Sequence, residues 1–474
     1  MKRIAIIGGG ISGLAAAFTL EESRRAGLPL EYSLFESSSR LGGVLFTERV
    51  DDCVVEAGPD SFLTEKPWAA DLCRQLGLGG QVIGSNDAIR KTYILLHGKL
   101  VPMPDGLMFM VPTKIMPVVF SPLFSLGTKL RMATEWFTKP QARPEESVAA
   151  LVARHYGAEM VERLADPLLS GVYGGEASQL GVRAVLPRFA EMEARHGSLS
   201  RAMLAGRKKV KAAAATSKPL FTSLKNGMQE LVDGLLPRLN PLSLRVKAQV
   251  QELQCRNDGW MVAAGDHSGY FDAVVVATPA PAAAALLQTV SMELVSELSG
   301  IQYSSSLIVT LGYDKHVRAS LPPGFGFLVP RSEGKRMLAA TFAHNKFPFR
   351  APEDRALLRC FLGGVRDELV LQLTDEEILR IVQDELRQIL GISVTPHFSR
   401  IYRWKAAMAQ YGVGHLERLQ RIERLCRQLP GLALAGNAYR GIGVPDCVRS
   451  GKEAAQQAMS AIGLTEAIQP ASVS

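Results

Sequence analysis

The apolar positions of this chain change rhythm along its length, and the changes predict its elements. Ile4 to Ile7 is a short apolar run ending in glycines, which predicts a buried parallel strand. A helical stretch, Ile11 to Arg24, and a second strand, Tyr32 to Phe35, follow. Val44 to Glu56 alternates as a hairpin with Asp51-Asp52 at its turn, and Pro67 to Leu76 reads as an amphipathic helix stopped by Gly77. Thr92 to Leu96 and Lys99 to Pro102 form a second hairpin. Gly106 to Phe137 is strongly apolar, rich in Met and Phe, and broken by Pro112, Pro117 and Pro122, so it is not one continuous helix. Helices are expected from Pro144 to His155, Met160 to Leu169 and Phe189 to Leu204. Gly206 to Lys218 is basic, Ala-rich and without a core pattern, which predicts an exposed loop or linker.

The strand rhythm then returns. Phe221 to Leu239 reads as strand, turn and helix, and Leu244 to Leu253, Gly259 to Ala264 and Phe271 to Thr278 read as strands. The last of these is a β-branched run expected to rejoin the opening sheet. Ser304 to Tyr313, Gly326 to Val329, Met337 to Phe342 and Leu357 to Gly363 alternate as an antiparallel sheet does. Asp375 to Leu390 is an amphipathic helix between an N-cap at Thr374 and a stop at Gly391. Near the end, Leu432 to Ala435 is a strand, Gly441 and Gly443 allow a second close backbone approach, and a helix from Val448 to Ile462 has Asp446 as its expected N-cap. The fold class that results is α/β: a Rossmann-type domain in three pieces (1–89, 219–289 and 397–474), a mostly helical insert (90–218) and an α+β substrate domain (290–396).

Composition narrows the class. Of 474 residues, 47% are hydrophobic and 21% charged, enough for a large core shared by two or three domains. The formal charge is +8, without the Lys/Arg runs of a nucleic-acid binder. That balance suits an anionic substrate, an anionic membrane surface or plain solvation. The six cysteines show no CxxC spacing and no histidine cluster stands beside them, so neither a metal site nor a disulfide framework is expected. The opening strand leaves no room for a targeting segment, and no apolar run reaches the ~20 residues of a membrane span. A cytoplasmic protein is expected, at most peripheral on the inner face of the cell membrane.

The candidate chemistry sits at the first strand. Gly8, Gly10 and Gly13 make a GxGxxG: a tight turn, a close backbone approach to a pyrophosphate, and a helix packed on the strand. The helix N-terminus offers its N–H groups to phosphate. Glu36 closes the second strand about 20 residues on, where a ribose 2′-OH acceptor belongs. The competing reading is an ordinary turn with a surface glutamate. Arg40-Leu41-Gly42-Gly43 argues against it by adding a second glycine pair. The combined pattern resembles the flavoprotein amine-oxidase and desaturase superfamily, which binds FAD rather than NAD.

Further segments, in order along nearly the whole chain, resemble the protoporphyrinogen oxidase family of haem biosynthesis and its coproporphyrinogen-oxidising bacterial members. They are FESSSRLGG, VEAGPDSF, LLHGKLVPMP, ADPLLSGVYGG, FTSLKNGMQEL, MAQYGVGH and LAGNAYRGIGVPDCVRSG. The resemblance implies FAD contacts at Gly8, Gly9, Gly10, Ile11, Ser12, Gly13, Glu36, Ser37, Arg40, Gly42, Gly43, Gly58, Pro59, Asp60, Ser61, Val250, Trp404, Ile442, Gly443 and Val444. It also implies a basic residue for a substrate carboxylate, here Arg90 or Lys91. The chain departs from the family at Lys225-Asn226-Gly227, where paired glycines are commoner.

What the resemblance implies chemically is six-electron oxidation of a porphyrinogen by FAD, with O2 as acceptor and H2O2 released. Some bacterial members use another acceptor. Ferrochelatase is the implied partner for product hand-over. No Ser-His-Asp or Cys-His arrangement stands out, in keeping with chemistry carried by the flavin. Another flavin oxidase or desaturase, and a non-enzymatic binding module, are the competing readings. Whether the substrate carries two carboxylates or four stays open, as does oligomeric state. Gly106 to Phe137 is expected to meet a membrane surface, with a pocket wall or plain core as its alternatives.

Overall fold

The computed structural model describes residues 1–464 apart from 109, 142, 212–217 and 257–258. At its centre is a five-stranded parallel sheet in the spatial order Leu244–Arg245, Leu30–Phe35, Lys2–Ile7, Ala273–Val276, Leu432–Leu434. The inner strands are apolar because both faces are covered. Successive residues of the first strand serve opposite faces. Ile4 and Ile6 pack with Leu14, Ala17 and Val448, whereas Ala5 and Ile7 pack with Trp260, Phe271 and Ala283. The chain steps from the first strand to Leu30–Phe35 on one side and returns as Ala273–Val276 on the other. The carboxyl end of the first strand is therefore a topological switch point, where open α/β sheets hold ligands.

The second large sheet has seven strands, ordered Phe398–Ala409, Tyr303–Asp314, Arg355–Gly363, Ala339–Phe342, Gly326–Leu328, Thr92–Leu96, Lys99–Pro102. Pairing is antiparallel except between Gly326–Leu328 and Thr92–Leu96. Helix Asp375–Leu390 covers it, burying Ile378, Val382 and Leu386 against Leu307, Val309 and Leu358. A capping box between Thr374 and Glu377 starts that helix, and Gly391 in the left-handed region ends it. The boundaries expected at 90 and 397 run through this sheet. The 92–102 hairpin and strand Phe398–Ala409 both belong to it.

The insert is helical, with Ile115–Phe120, Leu126–Thr134, Val148–Tyr156, Asp166–Tyr173, Pro187–His196 and Leu199–Lys211 as its main helices. The segment expected as a loop from Gly206 is helical as far as Lys211, and most of its remainder lies outside the described residues. The single strand expected from Leu244 to Leu253 is two. Lys247 takes a φ of 54° and donates its N–H to the Ser38 carbonyl, which turns the chain out of the parallel sheet. Glu252–Arg256 then starts a separate three-stranded sheet. The expected hairpin is present as Thr47–Val50 and Cys53–Glu56. Asp51 and Asp52 both have positive φ, as a two-residue hairpin turn requires.

Candidate functional site

The glycine turn is shaped by close approach. Gly8 has a φ of 108°, and a Cβ there would sit 2.7 Å from the Ala277 carbonyl oxygen. A Cβ on Gly13 would overlap the Gly8 carbonyl, so helix Ile11–Arg25 rests directly on the turn. Gly10 differs: beyond its own chain neighbours, nothing lies within 4 Å of where its Cβ would be. That open ground lies at the N-terminus of a helix with no side-chain cap, so the N–H groups of Ile11, Ser12 and Gly13 are available to an anion. Gly42 donates its N–H to the Gly9 carbonyl at 2.8 Å, and Gly43 packs on the Gly10 Cα. The second glycine pair is thus a floor under the first.

Glu36 stands at the end of the second strand with its carboxylate held in place. Gly9 N–H donates to Oε2 at 2.8 Å, Ser38 N–H donates to Oε1 at 2.7 Å, and the Ser37 hydroxyl lies 3.4 Å from Oε1. Both carboxylate oxygens keep lone pairs for a ribose hydroxyl. Arg40 is turned inward. Its guanidinium donates to the carbonyls of Leu41, Leu45 and Gly43 and stacks on Phe46, so it braces the loop. Val250 is buried beside Ile7 and Phe35, on the face opposite the glycine helix.

The Gly58–Ser61 turn joins the same region. A Cβ on Gly58 would overlap the Val44 carbonyl, next to the Gly42–Gly43 pair. Trp404 donates its indole N–H to the Ala57 carbonyl at 2.6 Å, bringing the seven-stranded sheet against the turn. Pro59 lies between the two carbonyls of this turn that are held from below. The Asp60 carboxylate faces inward to Lys346, Arg359 and the Ser61 hydroxyl, so the turn has its backbone to offer a cofactor.

The chain's far end closes the site. Helix Val444–Ala461 starts at Val444 with Gly443 as its N-cap, not at Val448 with Asp446 as expected. Asp446 lies in the first turn, and its carboxylate pairs with Lys66 at 2.5 Å instead of capping the helix. This N-terminus also lacks a side-chain cap. The loop before it, which carries Ile442, is pinned by Tyr411, whose hydroxyl accepts from Gly441 N–H at 2.8 Å and donates to the Asn437 carbonyl at 2.7 Å. A dinucleotide fits what is present: open ground beside Gly10, two uncapped helix N-termini, an oriented Glu36, and the buried, unpartnered Thr278 hydroxyl next to the Gly8 turn.

Arg90 and Lys91 lie apart from the glycine turns, exposed before strand Thr92–Leu96. Arg90 pairs with Asp87 at 3.4 Å, and the Lys91 carbonyl accepts from Phe325 N–H. Sequence reasoning missed the cations under the Gly58–Ser61 turn: Lys346, Arg350 and Arg359. The readable signal was Arg359, an arginine inside the otherwise apolar strand ALLRCFLGG. Among the described residues no group of His, Cys, Asp and Glu is arranged to hold a metal.

The family model for flavin containing amine oxidoreductase matches residues 11–459. Coproporphyrinogen III oxidase of Bacillus subtilis is 34% identical over 97% of this chain and 98% of its own. The Mycobacterium tuberculosis protein of that name is 32% identical over 97% of this chain and 98% of its own. Mitochondrial protoporphyrinogen oxidase of Nicotiana tabacum is 28% identical over 97% of this chain and 95% of its own. A crystal structure from Exiguobacterium sp. 255-15, of a protein assigned as a protoporphyrinogen oxidase, superposes with a TM-score of 0.85 at 30% identity, covering 96% of this chain and 98% of that one.

Proposed function

We propose that this chain, which belongs to the flavin containing amine oxidoreductase family and within it to the coproporphyrinogen III oxidases, uses FAD to oxidise coproporphyrinogen III to coproporphyrin III in haem biosynthesis. The observation that carries the substrate is full-length similarity to bacterial relatives of that name, at 34% and 32% identity. Protoporphyrinogen IX is the second reading, favoured by the likeness to the tobacco and Exiguobacterium proteins.

FAD supplies acceptance of two electrons and a proton at a time. The protein's share is to bind and orient. Ile11 to Gly13, at an uncapped helix N-terminus, are the residues for the pyrophosphate, and Glu36 is the residue for the ribose. Gly58 to Ser61, Trp404 and Ile442 to Val444 are the residues for the ring end, and Val250 is the backbone contact at the adenine end. The second uncapped N-terminus, at Val444, brings a partial positive charge to the site and favours negative charge there. O2 is the acceptor, each turnover releases H2O2, and the product passes to ferrochelatase. Arg90 and Lys91, exposed at the rim of the seven-stranded sheet, are the candidates for substrate carboxylates.

The protein also docks peripherally on an anionic membrane. The support is the outer surface of the insert, where Met116, Val119, Phe120, Leu126, Leu130 and Phe137 are all exposed. Val118, Leu123, Phe124 and Met132 of the same stretch face the core. Among the described residues no helix is long and apolar enough to cross a membrane.

The test is to assay the purified holoprotein side by side on the four-carboxylate and two-carboxylate porphyrinogens, following porphyrin fluorescence and peroxide. The expected result is faster turnover of coproporphyrinogen III with peroxide formed. Preference for protoporphyrinogen IX moves the assignment to the second reading. Absence of fluorescence with both ends the porphyrinogen assignment.

A further inference from the structure

Beneath the Gly58–Ser61 turn lies a cluster of five charges, three of them cations that none of the sequence motifs accounts for. Two are carboxylates: Glu56, buried at the end of strand Cys53–Glu56, and Asp60. Three are cations: Lys346, Arg350 and Arg359, with side chains 12%, 2% and 3% exposed. Lys346 meets Asp60 at 2.9 Å, Arg359 meets Asp60 at 3.1 Å, and Arg350 meets Glu56 at 3.0 Å. Three cations against two carboxylates leave one positive charge in excess. Glu230, which also faces Arg350, is only partly buried and bonded to Asn226. Aromatic faces take up part of the remainder: Lys346 over Phe221, Arg350 over Phe347 and Arg359 over Phe361. Nε and Nη1 of Arg350 and Nε of Arg359 still have no hydrogen-bond partner.

A surplus charge held out of water is expensive, and it persists where a nearby negative charge offsets it in the working state. The turn shows which side that charge is on. Arg359 donates to the Gly58 carbonyl at 2.6 Å, and Arg350 lies 3.3 Å from the Asp60 carbonyl. These cations hold the carbonyls of the turn from below. Asp60 and Ser61 lie outside regular strand, and among the described residues their N–H groups have no backbone acceptor. The turn is thus gripped on its carbonyl side and open on its amide side. It is also one of the segments assigned above to the ring end of FAD.

We propose that Lys346, Arg350 and Arg359 are positioning residues that set the reduction potential of bound FAD, acting through the Gly58–Ser61 turn. Reduction adds negative charge to the ring, and a buried positive surplus stabilises the reduced form relative to the oxidised one. The inference rests on the FAD assignment above.

The experiment compares midpoint potentials of the wild-type holoprotein and four variants: Lys346→Gln, Lys346→Arg, Arg359→Gln and Arg359→Lys. Flavin absorbance reports both FAD content and redox state. Losing one cation should weaken the preference for reduced over oxidised FAD about tenfold, a fall of about 30 mV for a two-electron couple. The charge-keeping variants should stay near wild type. A structural role alone moves thermal stability or FAD content and leaves the potential of the FAD-loaded fraction in place, so unchanged potentials in both Gln variants overturn the proposal. Lys346 is the less deeply buried partner, so its pair of variants decides the matter if Arg359→Gln does not fold. Wild-type protein that binds no FAD defeats the earlier assignment instead.

Discussion

Gly451 lies directly on Ser12. A Cβ on Gly451 would overlap the Ser12 carbonyl oxygen, so the closing helix and the glycine-turn helix touch backbone to backbone. This contact fixes the spacing of the two uncapped N-termini, at Gly10 and Gly443. Overpacking a tight core contact costs about 1–3 kcal/mol even where side chains can yield, and here the obstacle is backbone. Gly451→Val is therefore expected to force the helices apart and strip FAD from the purified protein. Gly451→Ala is expected to keep some FAD but release it at lower temperature. Flavin fluorescence during a thermal ramp measures both, and wild-type retention in Gly451→Val would disprove the contact's role.

Glu36 is the cheapest test of the nucleotide end. It is held by two backbone N–H groups, and a hydrogen bond to a charged group is worth about 1.5–3 kcal/mol. Glu36→Ala loses the proposed ribose acceptor and leaves Gly9 N–H without its partner. FAD affinity is expected to fall about tenfold to a hundredfold, with Glu36→Gln between the two. Titration of apoprotein with FAD reads this directly.

The glycine turn and Glu36 were legible in the sequence because their logic is local: strand, turn, helix and acid follow within one βαβ unit. The same holds for Thr374 and Gly391, which mark helix ends by their own chemistry. Strand Thr92–Leu96 reads in sequence as part of the helical insert because its partner, Gly326–Leu328, lies far along the chain. Asp446 reads as a cap because an acid before a helix usually is one, and only the fold supplies Lys66 as its partner. Lys346 and Arg350 are spaced like ordinary surface charges, and Arg359 alone stands out, in an apolar strand. They become a cluster only when Asp60 is folded against them.

The outer face of the insert yields a membrane prediction. Phe120, Leu126 and Phe137 are 77%, 73% and 78% exposed. Burying such a side chain in an apolar phase is worth about 1.5–3 kcal/mol. Replacing Phe120 and Phe137 together with Ser should cut partitioning onto vesicles of anionic lipid at least tenfold, with FAD content and thermal stability unchanged. Co-sedimentation checks it. Equal pelleting of wild type and double variant would assign the patch to another role.

His344 carries a pH prediction. It is buried, and burial pushes its pKa down to about 4, with the nearby Arg318 guanidinium acting in the same direction. Nδ1 lies 3.0 Å from the Leu357 backbone nitrogen and 3.2 Å from its carbonyl oxygen, Nε2 has no partner, and the ring is neutral at pH 7. In the unfolded chain the same ring protonates at about 6.5. Between those two values the unfolded state binds the extra proton, so stability rises with pH across this window and falls as pH drops from 6.5 toward 4. The loss attributable to this one group is on the order of 3 kcal/mol by pH 4. His344→Gln cannot take up that proton. Its melting temperature should be lower than wild type at pH 7.5, where Leu357 loses its imidazole partner, yet fall less steeply between pH 6.5 and 5. Parallel slopes in a thermal-shift series over that range would show that His344 does not bear the acid sensitivity.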